Sequence, residues 1–137
     1  MTNSQLFDAY RDTTFCADTP AGQLQIRIGQ QHPELDALLE DHGMASWAYI
    51  TAWNPRSEDI GQRENEANKA ALLRDLAGYR VFAGEGVGAD GDWAPEPSFL
   101  VPGVTKADAL MLGRKYRQNA TVLGRWGAAA DLLRCFS

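Results

Sequence analysis

The chain has 137 residues, 45% hydrophobic and 23% charged, an ordinary composition for one globular core. Its 13 Lys and Arg stand against 18 Asp and Glu, a net charge of −5, and no basic cluster stands out, which argues against nucleic acid as a partner. No apolar run approaches the roughly 20 residues of a membrane span, and the N-terminus lacks a basic stretch followed by an apolar one; a single cytoplasmic domain over residues 1–137 is expected, with no membrane partner.

Residues 4–11 read as a short helix with Leu6, Phe7 and Tyr10 on one side and Ser4 as its N-cap. Residues 13–17 and 23–28 read as two strands joined by a turn containing Pro20 and Gly22, a hairpin whose second strand alternates apolar and polar positions. Pro33 opens a helix that Gly43 closes, and its stripe Leu35, Leu38, Leu39 and His42 falls at i, i+3, i+4 and i+7. His42 ends that stripe, where a capping or half-buried packing role outweighs catalysis.

Trp47-Ala-Tyr-Ile-Thr-Ala-Trp-Asn-Pro-Arg-Ser57 is apolar at both odd and even positions before it ends in turn-forming residues. Side chains alternate faces along a strand, so this stretch predicts a central strand covered on both sides. A polar linker leads to a helix over residues 64–77, whose stripe Leu72 and Leu76 extends back to Asn65. An amide on a buried stripe marks a functional or bracing position.

Residues 79–84 and 98–102 read as strands of a wide hairpin, with a Gly- and Pro-rich loop over 85–97 between them. Thr105 with Asp108 predicts the start of a helix reaching about Arg117, and Gly113 on its buried stripe predicts close approach to the sheet. Asn119 reads as a left-handed stop before two strands, 120–126 and 131–136. Hairpins interrupted by helices point to an α+β fold with one mixed, mostly antiparallel sheet and helices mainly on one face. Within it, residues 47–126 follow a ferredoxin-like β-α-β-β-α-β order.

Several chemical motifs fail their context. Gly84-x-Gly86-x-Gly88 follows a strand but precedes no helix, so no phosphate loop is expected. Asp90, Asp92 and Glu96 have oxygen-ligand spacing without the twelve-position calcium pattern. Cys16 and Cys135 form no C-x-x-C, and His32 and His42 complete no zinc spacing, so two structural thiols are expected. No metal or cofactor follows.

The candidate site is polar. Asn54, Arg56 and Ser57 end the central strand, Asn65 sits one turn into the next helix, and Trp93, Glu96 and Ser98 lie around two prolines that fix their backbone. Arg114 and Gln118 lie near the end of the last helix. Arginine with amides and a hydroxyl suits a carboxylate or phosphate, and Glu96 suits a base or a partner for an amine or hydroxyl. These readings favour binding of a small anionic or nucleotide-like molecule, against a competing reading in which the same residues only brace the loops. A protein-interaction or regulatory module docking through the Trp93 loop is the alternative. No catalytic residue is assigned, and a homodimer is compatible with the sequence.

The strings Leu24-Gln-Ile-Arg-Ile-Gly29, Ile50-Thr-Ala-Trp-Asn-Pro-Arg-Ser57, Glu64-Asn65, Trp93-Ala-Pro-Glu-Pro-Ser98 and Leu112-Gly-Arg-Lys-Tyr-Arg-Gln-Asn119 carry a further signal. Through them the chain resembles an uncharacterised bacterial family of small proteins, a domain of unknown function. The resemblance implies a small stand-alone domain and brings no activity or substrate. It also implies glycine before Gln118-Asn119, where this chain has Arg117.

Overall fold

A computed structural model describes residues 2–89, 91 and 93–136. Asp90 and Asp92, and with them the calcium spacing, lie outside the described residues. The described residues form helices α1 (Asn3–Arg11), α2 (Pro33–Asp41), α3 (Gln62–Asp75) and α4 (Lys106–Lys115). The strands are β1 (Thr14–Thr19), β2 (Gly22–Ile26), β3 (Ser46–Ile50), β4 (Phe82–Val87), β5 (Glu96–Pro102), β6 (Ala120–Arg125) and β7 (Asp131–Arg134). A 3₁₀ turn, Pro55–Ser57, follows β3.

All strands join one sheet in the order β2-β1-β4-β5-β3-β6-β7, and each ladder is antiparallel. The α+β class therefore stands, with a sheet more uniformly antiparallel than the sequence suggested. Among the described residues its one parallel element is an isolated bridge, Ile28 to Ala130. There Gly29 N–H donates to the Ala130 carbonyl at 2.8 Å, and Ala130 N–H donates to that of Gln30 at 3.0 Å. These contacts draw the chain beyond β2 toward the start of β7, so the sheet curls and protects its edges.

The alternation in β3 sorts two cores. Trp47 and Tyr49 face the inside of the curl with Phe15, Ile26, Phe82, Leu100 and the α2 leucines 35, 38 and 39. Ala48 and Ile50 face outward, under Leu72 of α3, Leu76 at its C-cap, and Ala109 and Leu112 of α4. Helices thus cover both faces: α3 and α4 share one, and α2 fills the other. The expectation of helices mainly on one face missed this role of α2. An apolar stripe reveals that a helix is buried, not against which face.

Glycines make the close contacts. Trp47 pairs with Gly124, where an added Cβ would stand 2.7 Å from the indole. At Gly113, an added Cβ would strike Cys135 Sγ and lie 2.7 Å from Thr121 Oγ1, the close approach that its place in α4 predicted. His42 caps α2 and packs its ring 5.7 Å from that of Phe82.

Other boundaries shift for local reasons. Thr2, not Ser4, caps α1, in a reciprocal capping box with Gln5. β3 ends at Ile50 because Thr51 Oγ1 accepts from Trp53 N–H and donates to the Pro97 carbonyl, turning the chain out of the ladder. β4 starts at Phe82, and β5 starts at Glu96, so Glu96 belongs to the sheet instead of the loop. No helix is long and apolar enough to cross a membrane, and no His, Cys, Asp or Glu group could hold a metal, among the described residues.

Candidate functional site

The chain leaving β3 passes through an unusual backbone. Asn54, Arg56 and Ser57 have φ of 45°, 57° and 61°, and Arg117, just past α4, has 54°. Asparagine tolerates this left-handed region, whereas an ordinary side chain there costs about 1–2 kcal/mol. Such outliers persist only where the surroundings hold them.

Asn65 supplies much of that hold. It is 2% exposed, and its Oδ1 accepts from Asn54 N–H at 2.8 Å while its Nδ2 donates to Asn54 Oδ1 at 2.7 Å. Asn54 Nδ2 donates in turn to Glu96 Oε2 at 3.2 Å, and Trp93 Nε1 donates to the same oxygen at 2.5 Å. Ser57 Oγ lies 3.3 Å from Tyr10 OH and accepts from Asn119 Nδ2 at 3.1 Å. Arg56 N–H donates to the Arg117 carbonyl at 2.8 Å, and Gln118 Nε2 donates to that of Trp53 at 3.1 Å. The 54–57 turn is thereby fixed from α1, α3, β5 and the end of α4.

The sequence-predicted residues therefore fall into four groups. Asn54, Ser57, Asn65, Trp93, Glu96 and Gln118 form one bracing network. Ser98, buried in β5, donates to the Glu96 carbonyl at 2.9 Å. Arg114 stands apart, its Nε donating to the Cys135 carbonyl at 2.6 Å, which ties α4 to the end of β7. Arg56 lines an open groove of about 640 Å³ on the other side of the turn.

That groove runs between the turn, α3 and the end of α4. Glu64, Asn68, Ala71 and Asp75 form its α3 wall at i, i+4, i+7 and i+11, a stripe roughly 16 Å long at the helical rise. Arg56, Arg74, Lys115 and Arg117 bring four cations to it, and Glu58, Glu64 and Asp75 bring three carboxylates. Lys115 Nζ lies 2.7 Å from Asp75 Oδ2, which also accepts from Tyr116 OH. Those two bonds hold the Asp75 carboxyl below its usual range. Arg56, Arg74 and Arg117 have no carboxylate within ion-pair distance among the described residues.

Tyr10, Asn119, Arg117 and Lys115 were not among the site residues expected from the sequence. Tyr10 read as part of an apolar helix face, and Asn119 as a left-handed stop. Arg117 takes that conformation instead, and the amide of Asn119 is free to hold Ser57. The one available signal was Arg117 itself, standing where glycine was expected.

Burial raises the Glu96 carboxyl above the usual glutamate range, while the Trp93 indole and the Asn54 amide pull it back. A raised folded-state value means that the native protein holds the proton more tightly than the unfolded chain. The contribution of Glu96 to stability is therefore fully present at acid pH and is lost as pH rises from the ordinary glutamate value through the raised one. Glu96→Gln, whose amide oxygen can still accept both bonds, is expected to exceed wild type in stability at pH 8, with the gain vanishing near pH 4. Urea midpoints at the two pH values check this; a less stable variant at pH 8 would count against it.

Fold and site together define a curled α+β domain with a braced turn beside a charged groove. A family model described as Protein of unknown function (DUF3293) matches residues 50–121, more than half of the chain, and the chain belongs to that family. The match runs from the end of β3 into β6 and takes in every groove residue and all of the bracing network but Tyr10. No curated protein and no solved structure matches the chain.

Proposed function

We propose that this protein binds a small anionic or nucleotide-like molecule in the groove that begins where the central strand ends. One observation carries the reading: four cations line the groove of a chain with net charge −5, and three of them lack an ion-pair partner among the described residues. Guanidinium groups that are left unpaired in a concavity suit a carboxylate or phosphate. Asn54, Asn65 and Glu96 then act behind the site, holding the turn that presents Arg56. We also read the β3-to-β6 portion as ferredoxin-like, since β5 lies between β3 and β4 and the connecting helices α3 and α4 share one face. A cytoplasmic domain fits this use.

The test is a thermal-shift screen of anionic metabolites. At a hundredfold excess over its Kd a ligand stabilises by about 2.7 kcal/mol, a Tm rise of roughly 8–12 °C for a domain this size. Arg56→Ala, which keeps a Cβ and the same backbone strain, is expected to keep the unliganded Tm and lose most of that rise. If no metabolite shifts wild type, the reading fails.

The second reading, docking of a protein through the Trp93 loop, draws on the 45% exposure of Trp93. Its indole N–H is already committed to Glu96. A stoichiometric partner lost on Trp93→Ala, with metabolite binding absent, would favour it.

A further inference from the structure

Arg117 occupies a position that chemistry reserves for glycine. After α4, Gln118 N–H donates to the Gly113 carbonyl at 2.8 Å and Arg117 N–H to that of Arg114 at 3.1 Å. This pair of bonds is the Schellman stop, whose left-handed residue is usually glycine because a Cβ is strained there. Arg56 repeats the situation at φ 57°, and its N–H bonds the Arg117 carbonyl. Two strained arginines are thus joined through their backbones, and both line the one groove. Neither pairs with a carboxylate among the described residues. Lys115 differs, since Asp75 already holds it.

We infer that Arg56 and Arg117 form a clamp for the phosphoryl group of a phosphate monoester. This rests on the groove being the binding site, as proposed above. Each guanidinium offers a planar fork of N–H donors, and a single fork takes up both oxygens of a carboxylate along one edge. A phosphoryl group carries about two negative charges and three acceptor oxygens, enough to engage both. The rest of the groove selects the rest of the ligand. Glu58 and Glu64 disfavour a polyanion and accept hydrogen bonds from hydroxyl or amino groups, and Asn68 offers an amide. The 16 Å wall leaves room beyond the clamp for a body of nucleotide size. A sugar or nucleoside monophosphate has that chemistry.

The experiment measures binding of inorganic phosphate, glycerol phosphate and succinate to the full chain at low ionic strength. The panel is wild type, Arg56→Gly, Arg117→Gly and Arg63→Ala. Glycine relieves the left-handed strain, so Tm is expected to hold or rise in both clamp variants, which separates lost binding from lost folding. The two phosphates are expected to bind wild type at least about tenfold more tightly than succinate, and each clamp variant to lose about tenfold in phosphate affinity. Arg63, on α3 but outside the groove lining, reports non-specific attraction and is expected to change nothing. Clamp variants that bind phosphate within about twofold of wild type overturn the clamp. Succinate binding as tightly as phosphate overturns the phosphoryl preference and leaves the anion groove standing. A screened metabolite that needs Arg56 while neither phosphate binds also removes the clamp alone. Failure of every anion in both experiments removes the groove as well.

Discussion

Gly84→Ala is expected to cost about 3 kcal/mol or more, the upper range for overpacking, and to leave much of the chain unfolded at moderate urea. Gly84 lies in β4 where β1 crosses it, and an added Cβ would fall on the Cys16 carbonyl oxygen and lie 2.7 Å from Ala17 Cα. These are backbone atoms, so no rotamer change can relieve the clash. The same carbonyl accepts from Tyr49 OH at 2.7 Å, so moving it would also leave a buried phenol without its partner. The β1–β4 register is recorded at Phe15 with Gly86 and Thr14 with Val87 and does not continue to Gly84, consistent with β1 bending over the bare glycine. Gly86→Ala is the control. Its Cβ would meet the Phe15 ring at 3.7 Å and Thr13 Cγ2 at 3.9 Å, both ordinary contacts, and the urea midpoint is expected to change little. Equal midpoints for the two variants would refute the close-approach account.

Asn65→Ala is the second large effect, about 3 kcal/mol. It leaves Asn54 N–H and Oδ1 without partners in a residue that is itself only 9% exposed, and each such buried group costs about 1–3 kcal/mol. Because the two asparagines act as a unit, Asn54→Ala is expected to cost much less in the Asn65→Ala background than in wild type. Urea denaturation of the four-member cycle measures the coupling. Additive costs would mean that Asn65 is buried for another reason.

Much of this arrangement was legible in the sequence. Both-face apolarity marked β3 as central, and the amide of Asn65 stood out against a leucine stripe. That pattern rests on periodicity, which a sequence carries directly. The meeting of Asn54, Asn65 and Glu96 was anticipated because each was polar where its element called for burial or a bare turn. Contacts between distant segments were not legible. Nothing in the helix containing Tyr10 foretold its contact with Ser57, and a single stripe could not tell that α2 fills the inside of the curl. Arg56 was placed with the polar cluster because it neighbours Asn54 in the chain. Its left-handed φ, a property of the folded turn, accompanies its place in the groove on the other side. The bracing reading thus describes most of the predicted residues, and the binding reading passes to Arg56 and residues near the end of α4.

The most direct measurement is a nuclear magnetic resonance titration of inorganic phosphate into isotope-labelled protein, read at backbone amides. The account predicts saturable shifts centred on Arg56, Asn68, Tyr116 and Arg117, with Trp93 and Glu96 little moved. Saturable shifts confined to the Trp93 loop, or none anywhere, would contradict it.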